Sequence, residues 1–142
     1  MTRSFVADAS VAIGWVHPSQ STAATAATLV AIAEGATLEV PAVWPVEVAN
    51  ALTVLERRGK LTVTERQIAI GWLRGLRLRI DHEMAGVAFS RLSELASKYR
   101  LSVYDAAYLE LAHRRSLELA CKDEPLRVAA KKCGVVLYSV GP

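Results

Sequence analysis

Four carboxylates stand in apolar stretches of this sequence, at Asp8, Glu47, Asp105 and Asp123. Acidic side chains are rarely buried unless a partner of opposite charge accompanies them. One divalent cation is the simplest partner that satisfies several carboxylates at once. Because all the protein ligand atoms would be oxygens, Mg²⁺ or Mn²⁺ fits this set better than zinc. Such a cation suits phosphate-bearing substrates and activates water for hydrolysis.

Helix capping is the competing explanation for three of these acids. Asp is a favoured N-cap residue, so Asp8 could simply begin the helix that follows it. Ser102 and Asp105 match the capping-box pattern, and Asp123 lies just before Pro125, which is welcome early in a helix. For each of these acids taken alone, a cap is the stronger interpretation.

Glu47 is the hardest of the four acids to explain as a cap. Valines at positions 43, 46 and 48 leave little room for a solvated face. A first-turn acid would still suit the helix dipole, so a structural and a chemical role both stay open. Asn50 is three residues further on and shares the same side of a helix.

Alternating short apolar runs and longer helical patterns predict the elements that would position the acids. Strands are expected at residues 4–7, 37–40, 76–80, 117–120 and 135–137. Helices are expected at 11–16, 19–33, 43–58, from 62 onward, and at 84–98, 103–114 and 124–132. This alternation indicates an α/β domain with a parallel sheet. The acids then follow strands or begin helices, so they can converge at one edge of the sheet, where ligands bind.

Composition narrows the class of protein. Apolar residues make up 52% of the 142 residues, which fits a single folded domain over 1–142. The net charge of +3, with Arg3 the only Lys or Arg before Arg57, is compatible with a nucleic-acid partner. No apolar run is long enough for a membrane span or a signal peptide, so no membrane partner and a cytoplasmic location are expected. Cys121 and Cys133 form no CxxC pair, which argues against structural zinc.

The order and spacing of these motifs resemble PIN-domain ribonucleases of the VapC toxin type. The likeness covers essentially the whole chain and rests on Asp8-Ala-Ser10, Glu47-Val-Ala-Asn50-Ala-Leu52, Leu101-Ser-Val-Tyr-Asp105-Ala-Ala-Tyr108 and Asp123-Glu-Pro-Leu126. It implies a three-layer α/β/α domain with a central five-stranded parallel sheet. It also implies a catalytic, metal-binding site made of Asp8, Glu47, Asp105 and Asp123, with Ser10 and Asn50 as supporting polar residues.

The resemblance further implies a function. Proteins of this type are Mg²⁺- or Mn²⁺-dependent endoribonucleases that hydrolyse RNA phosphodiester bonds as toxins of prokaryotic toxin–antitoxin pairs. They form homodimers, and a cognate antitoxin blocks the site with a short C-terminal segment. Trp15 and the small-residue helix after Ser19 are the places where subunit or antitoxin contacts are expected.

One departure from the family pattern lies beside the fourth acid. The family usually has Thr or Ser two residues before this acid, whereas this chain has Cys121, whose thiol is a weaker hydrogen-bond donor. Lys122, which follows, is also unusual next to a carboxylate cluster. Glu124 is therefore an alternative fourth ligand, although the spacing to Leu126 favours Asp123.

Two other functions compete with the toxin nuclease. The changes at Cys121 and Lys122 would suit a catalytically weak or inactive PIN-like module that binds RNA or a partner. An RNase H-like nuclease also uses four acids, but there the first acidic strand leads into antiparallel strands. Here a helix and Pro18 follow Asp8, which argues against that class.

Overall fold

A parallel β-sheet forms the centre of this protein, which a computed structural model describes over residues 3–139. Within these residues there are four strands, β1 (Ser4–Ala7), β2 (Thr37–Pro41), β3 (Leu78–Asp81) and β4 (Glu118–Ala120). They lie in the order β3-β2-β1-β4, and neighbouring strands run parallel. The same part of the chain forms seven α-helices, α1 (Ala9–Val16), α2 (Ala23–Ala33), α3 (Trp44–Arg57), α4 (Val63–Arg74), α5 (Ser93–Tyr99), α6 (Val103–Arg115) and α7 (Glu124–Lys132).

The helices form two groups around the sheet. α6 packs against β1 and β2, with α5 and α7 beside it, whereas α1 packs against α2 and α3, and α3 packs against α4. This three-layer α/β/α arrangement confirms the predicted fold class. Between residues 3 and 139, no helix has the length and apolar character needed to cross a bilayer.

The central strand β1 is the most completely buried element of the sheet. Phe5, Val6 and Ala7 have no exposed surface, as expected for an inner parallel strand with helices on both faces. Val6 is paired with Glu39 of β2 on one side and with Leu119 of β4 on the other. Neighbouring strands and helices hold β1 in place. They therefore also fix the position of the residue that follows it, Asp8.

The predicted fifth strand at 135–137 is wrong. In the described part of the chain this segment forms only an isolated parallel bridge between Leu119 and Leu137. The backbone amides of Leu119 and Tyr138 still donate to Val136 and Leu119 carbonyls, each at 2.9 Å. β4 has only three residues, which leaves little length for a second ladder. The segment is therefore an irregular edge beside a four-stranded sheet.

The largest differences from the predicted helices lie in two segments, while α1 begins at Ala9 instead of residue 11. The helix expected at 19–33 begins at Ala23, because Thr22 caps it, and a 3₁₀ turn at Pro18–Gln20 precedes it. The helix expected at 84–98 is divided into a 3₁₀ turn, a π-helical turn and α5. Val87, with φ of −109° and ψ of 5°, leaves the helical region there, directly after Gly86, a residue that weakens helices.

Gly14 allows α1 and α2 to pack closely. A Cβ atom at this position would lie 2.9 Å from the Gln20 carbonyl oxygen and 3.0 Å from Thr25 Cγ2. The nearest obstacle is backbone, which cannot rotate away as a flexible side chain can. Gly71, in the exposed middle of α4, has no atom within 4 Å of such a Cβ.

We expect Gly14→Ala to destabilise the protein and Gly71→Ala to stabilise it. Overpacking at Gly14 should outweigh the better helix propensity of alanine and leave a net loss of about 1–2 kcal/mol. Alanine at Gly71 meets no obstacle and should add about 0.5–1 kcal/mol. Urea unfolding followed by circular dichroism measures both changes, and a Gly14→Ala protein as stable as the wild type would contradict the close packing.

Candidate active site

The first acid of the site, Asp8, is both a helix cap and an available ligand. It follows β1 directly, is 6% exposed and begins α1. The Val11 amide and the Ser10 hydroxyl both donate to Oδ1, at 3.3 Å and 2.8 Å. Within residues 3–139 no hydrogen bond reaches Oδ2. The capping interpretation is therefore correct for one oxygen, and the other oxygen is left for chemistry.

Glu47 lies in the first turn of α3, where a tyrosine from another helix contacts it. The hydroxyl of Tyr108, on α6, donates to Glu47 Oε1 at 2.7 Å. Burial and this bond to Glu47 raise the pKa of Tyr108 far above its usual range, so the phenol remains a donor. Tyr108 was not among the predicted site residues, although its spacing of three residues from Asp105 places both on one side of a helix.

Asp105 lies in the first turn of α6, as predicted. The Ser102 hydroxyl oxygen accepts the Asp105 amide at 3.0 Å, so the N-cap half of the expected capping box is present. The reciprocal bond, in which the Ser102 amide would donate to the Asp105 carboxylate, is not formed among the described residues. The cap therefore uses the backbone of Asp105 and does not require its carboxylate.

Asp123 is the N-cap of α7 and the most exposed of the four acids. Its Oδ2 accepts the Leu126 amide at 3.2 Å, which agrees with the capping interpretation of the sequence. Glu124, the alternative fourth ligand, has a side chain that is 75% exposed and 3.9 Å from Arg127. Asp123 lines the cavity shared by the acids, whereas Glu124 is not among its lining residues.

The unusual residues before Asp123 do not occupy the site. The Lys122 ammonium donates to the Gln20 carbonyl at 3.0 Å, which ties the end of β4 to the turn after α1. Cys121 is buried, and this burial, with the nearby Asp8 carboxylate as the next cause, raises the pKa of its thiol to about 12. At neutral pH Cys121 is therefore an uncharged thiol, and Lys122 is engaged elsewhere.

The four acids line one cavity of about 230 Å³ at the carboxyl edge of the sheet. Its lining residues are Asp8, Ala9, Ser10, Glu47, Asp105, Tyr108 and Asp123. Asn50, the remaining predicted site residue, lies instead in an adjoining groove of about 440 Å³ between α1 and α3. The groove shares Ala9, Ser10 and Glu47 with the cavity, so the two spaces are continuous.

Burial, with a smaller contribution from mutual repulsion, disfavours the ionised form of three acids in this cavity. The pKa of Asp8 is raised to about 6, mainly by burial and to a smaller extent by the charges of Asp105 and Glu47, against the opposing effect of the capping bonds. Burial also raises the pKa of Glu47, partly offset by the Tyr108 bond, with Asp105 adding to the rise. For Asp105, burial and then the Asp123 charge raise the pKa. Each of these shifts would be relieved by a bound cation.

The donor set fits a hydrated Mg²⁺ or Mn²⁺ ion. Over the described residues, no three His, Cys, Asp or Glu side chains converge tightly enough to form a ready-made coordination sphere. The acids surround an open cavity of about 230 Å³ instead. Mg²⁺ usually keeps several of its waters and takes only one or two carboxylates directly, so an open ring of oxygen donors suits it.

Known protein families and structures provide independent comparisons. A sequence model described as the PIN domain matches residues 5–132. No curated protein matches the sequence significantly.

Three solved structures share the fold over 95% of this chain. The crystal structure of PAE2754 from Pyrobaculum aerophilum has a TM-score of 0.68 at 20% identity, with 83% of that chain covered. VapBC2 from Rickettsia felis, bound to a DNA fragment from their promoter, has a TM-score of 0.65 at 11% identity, with 97% covered. FitAcB from Neisseria gonorrhoeae has a TM-score of 0.64 at 17% identity, with 96% covered. At these identities the likeness shows the fold.

We expect Asp8→Asn to stabilise the cation-free protein near neutral pH. The folded state holds the Asp8 pKa at about 6 instead of 3.8, so folding loses stability as the pH rises through this interval, by up to about 3 kcal/mol. Asparagine carries no charge and caps a helix as well as aspartate does. Urea unfolding in EDTA should therefore give the variant the larger free energy of unfolding at neutral pH.

Two further measurements make this expectation specific to charge. The difference between the proteins should shrink at acidic pH, where Asp8 of the wild type is protonated. Added Mg²⁺ should raise the free energy of unfolding of the wild type more than that of the variant. Equal stability of the two proteins in EDTA at neutral pH would contradict the electrostatic cost assigned to Asp8.

Proposed function

Because this chain belongs to the PIN domain family, we propose that it is a Mg²⁺- or Mn²⁺-dependent endoribonuclease and the toxin of a toxin–antitoxin pair. PIN domains are generally nucleases, and PIN nucleases generally use divalent metal ions. The observation that carries the proposal is the single cavity lined by Asp8, Glu47, Asp105 and Asp123. A capping role alone would not require their carboxylates to share a space.

In this proposal the four acids hold the cation and keep it at the carboxyl edge of the sheet. When bound, Mg²⁺ or Mn²⁺ neutralises phosphate charge and lowers the pKa of an attacking water. Ser10 donates to one oxygen of Asp8, which orients the other oxygen toward the cavity. The N-cap bonds hold Asp8 and Asp123 at fixed positions, so the acids need little rearrangement when substrate arrives.

The adjoining groove and two nearby cations are suited to the RNA strand. Besides Ser10 and Glu47, which it shares with the cavity, the groove is lined by Gln20 and Asn50 among apolar residues. The Lys122 ammonium donates to the carbonyl of Gln20, which lines this groove, and the Arg127 guanidinium donates to the Cys121 carbonyl, two residues before the fourth acid. RNA phosphates would be attracted to such cations, and binding would weaken as salt concentration rises.

An apolar groove near α4 suits the antitoxin. Trp15, where a partner contact is expected, donates its indole N–H to the Thr25 carbonyl at 2.9 Å and packs edge-on against Trp72. Both tryptophans line a groove of about 620 Å³, in which Ile68 is 67% exposed. The fold shared with VapBC2 supports an antitoxin as the occupant. We also propose that the protein forms a homodimer and acts in the cytoplasm of a prokaryote.

The alternative is a PIN-like module that binds RNA or a partner without cleaving. Cys121 is the observation that favours it, because a buried neutral thiol replaces the hydroxyl donor usual in the family. Lys122 does not favour it, since its ammonium is bonded to Gln20 and leaves the acids unneutralised. Cleavage assays distinguish the two functions.

The purified chain should cut single-stranded RNA with Mg²⁺ or Mn²⁺ and not in EDTA. Asp8→Asn and Asp105→Asn should each lower the rate by about 100-fold or more, because each weakens the hold on the cation that would stabilise the transition state. Glu34→Gln, which alters an exposed acid at the end of α2, is the matched control and should cut normally. Tight RNA binding with no cutting under either cation would favour the non-cleaving module.

Expression of the wild-type chain in a bacterial host should arrest growth. Asp8→Asn, which we expect to stabilise the cation-free fold while it removes a proposed ligand, should relieve the arrest even though the protein accumulates at a level similar to that of the wild type. Optical density and immunoblotting measure the two quantities together. Arrest that persists in the Asp8→Asn strain would argue against RNA cleavage as its cause.

A further inference from the structure

Glu47 differs from the other acids of the cavity in where its hydrogen-bond donor comes from. Asp8 and Asp123 are held by groups within three residues, in the first turns of the helices that they cap. Glu47 has a longer side chain, and its donor is the hydroxyl of Tyr108, which is 61 residues away on α6. Local capping geometry therefore does not orient Glu47, whereas the contact between α3 and α6 does.

Tyr108 has a fixed position from which to do this. Its side chain is 1% exposed and belongs to the apolar core, while its hydroxyl lines the acidic cavity. A buried hydroxyl that loses its only protein acceptor is costly. Rotation of Glu47 away from the cavity would take this acceptor from the Tyr108 hydroxyl. The bond therefore favours the conformation in which Glu47 faces the other acids.

The Tyr108 bond engages one of the two carboxylate oxygens of Glu47. Oε1 accepts the Tyr108 hydroxyl at 2.7 Å, and no hydrogen bond within residues 3–139 reaches Oε2. Asp105 lies three residues before Tyr108 on the same helix. α6 thus carries Asp105, which is one acid of the cavity, and Tyr108, which donates to a second acid, Glu47. The position of α6 therefore affects both acids.

We infer that Tyr108 is a positioning residue that holds Glu47 in the cation-binding conformation. The inference rests on the proposed function, because it assigns Tyr108 a part in the same cation site. Removal of a hydrogen bond to a ligating carboxylate commonly lowers metal affinity or activity by about 10–100-fold. If Tyr108 only filled the core, loss of its oxygen would alter stability and leave cation binding unchanged.

The test is Tyr108→Phe in the full chain, which removes one oxygen and keeps the ring. Free Mn²⁺ counted by electron paramagnetic resonance gives the affinity for the metal alone. The variant should bind Mn²⁺ about 10-fold more weakly or worse and cut RNA with a lower kcat at an unchanged KM. Tyr104→Phe, which changes an exposed phenol on the same helix, is the control and should match the wild type.

A double-variant comparison separates positioning from packing. In a Glu47→Gln background, Tyr108→Phe should cause little further loss of Mn²⁺ affinity, because the carboxylate that it positions is gone. Wild-type Mn²⁺ affinity and kcat in Tyr108→Phe would overturn the inference and leave the proposed function intact. Absence of Mn²⁺ binding and RNA cleavage in the wild type itself would overturn the proposed function, and the inference with it.

Discussion

The burial of ionisable carboxylates at one edge of the sheet is the constraint on which the rest of this structure depends. Asp8 directly follows three strand residues that have no exposed surface, so its backbone is held in place beside the other acids. Its pKa near 6 expresses the cost of keeping it ionised there. Hydrogen bonds from Ser10 and from the Val11 amide, like the Tyr108 bond to Glu47, offset part of that cost. A cation would offset the remainder, which explains why a stable fold retains so unfavourable a cluster.

The capping and chemical interpretations of the acids turn out to be compatible. One carboxylate oxygen of Asp8 caps its helix and the other does not, and the cap bond at Asp105 is made by the backbone amide. A helix that begins at an acid fixes the direction of that acid as well as its own start. This double use explains why Asp8, Asp105 and Asp123 each looked structural when viewed alone, whereas Glu47 left both roles open.

Much of the fold was predictable because its signals are local. β1 and α7 have the predicted bounds, since an apolar run and a capped, proline-started helix are set by neighbouring residues. The fifth strand was not predictable, because a ladder depends on the length of its partner, here the three-residue β4. Tyr108 was missed for a similar reason: its role depends on an acceptor 61 residues away, which no local pattern records. The catalytic roles themselves remain predictions.

The contribution of β4 and α7 to the site has a consequence for biosynthesis. Three of the acids precede these elements in the chain, and β4 completes the sheet on the open side of β1. A nascent chain that has been translated only through α6 therefore lacks the strand that pairs with this edge of β1, and it lacks the fourth acid, Asp123. The order of translation thus keeps the growing polypeptide without a complete acidic site until α7 has left the ribosome and docked.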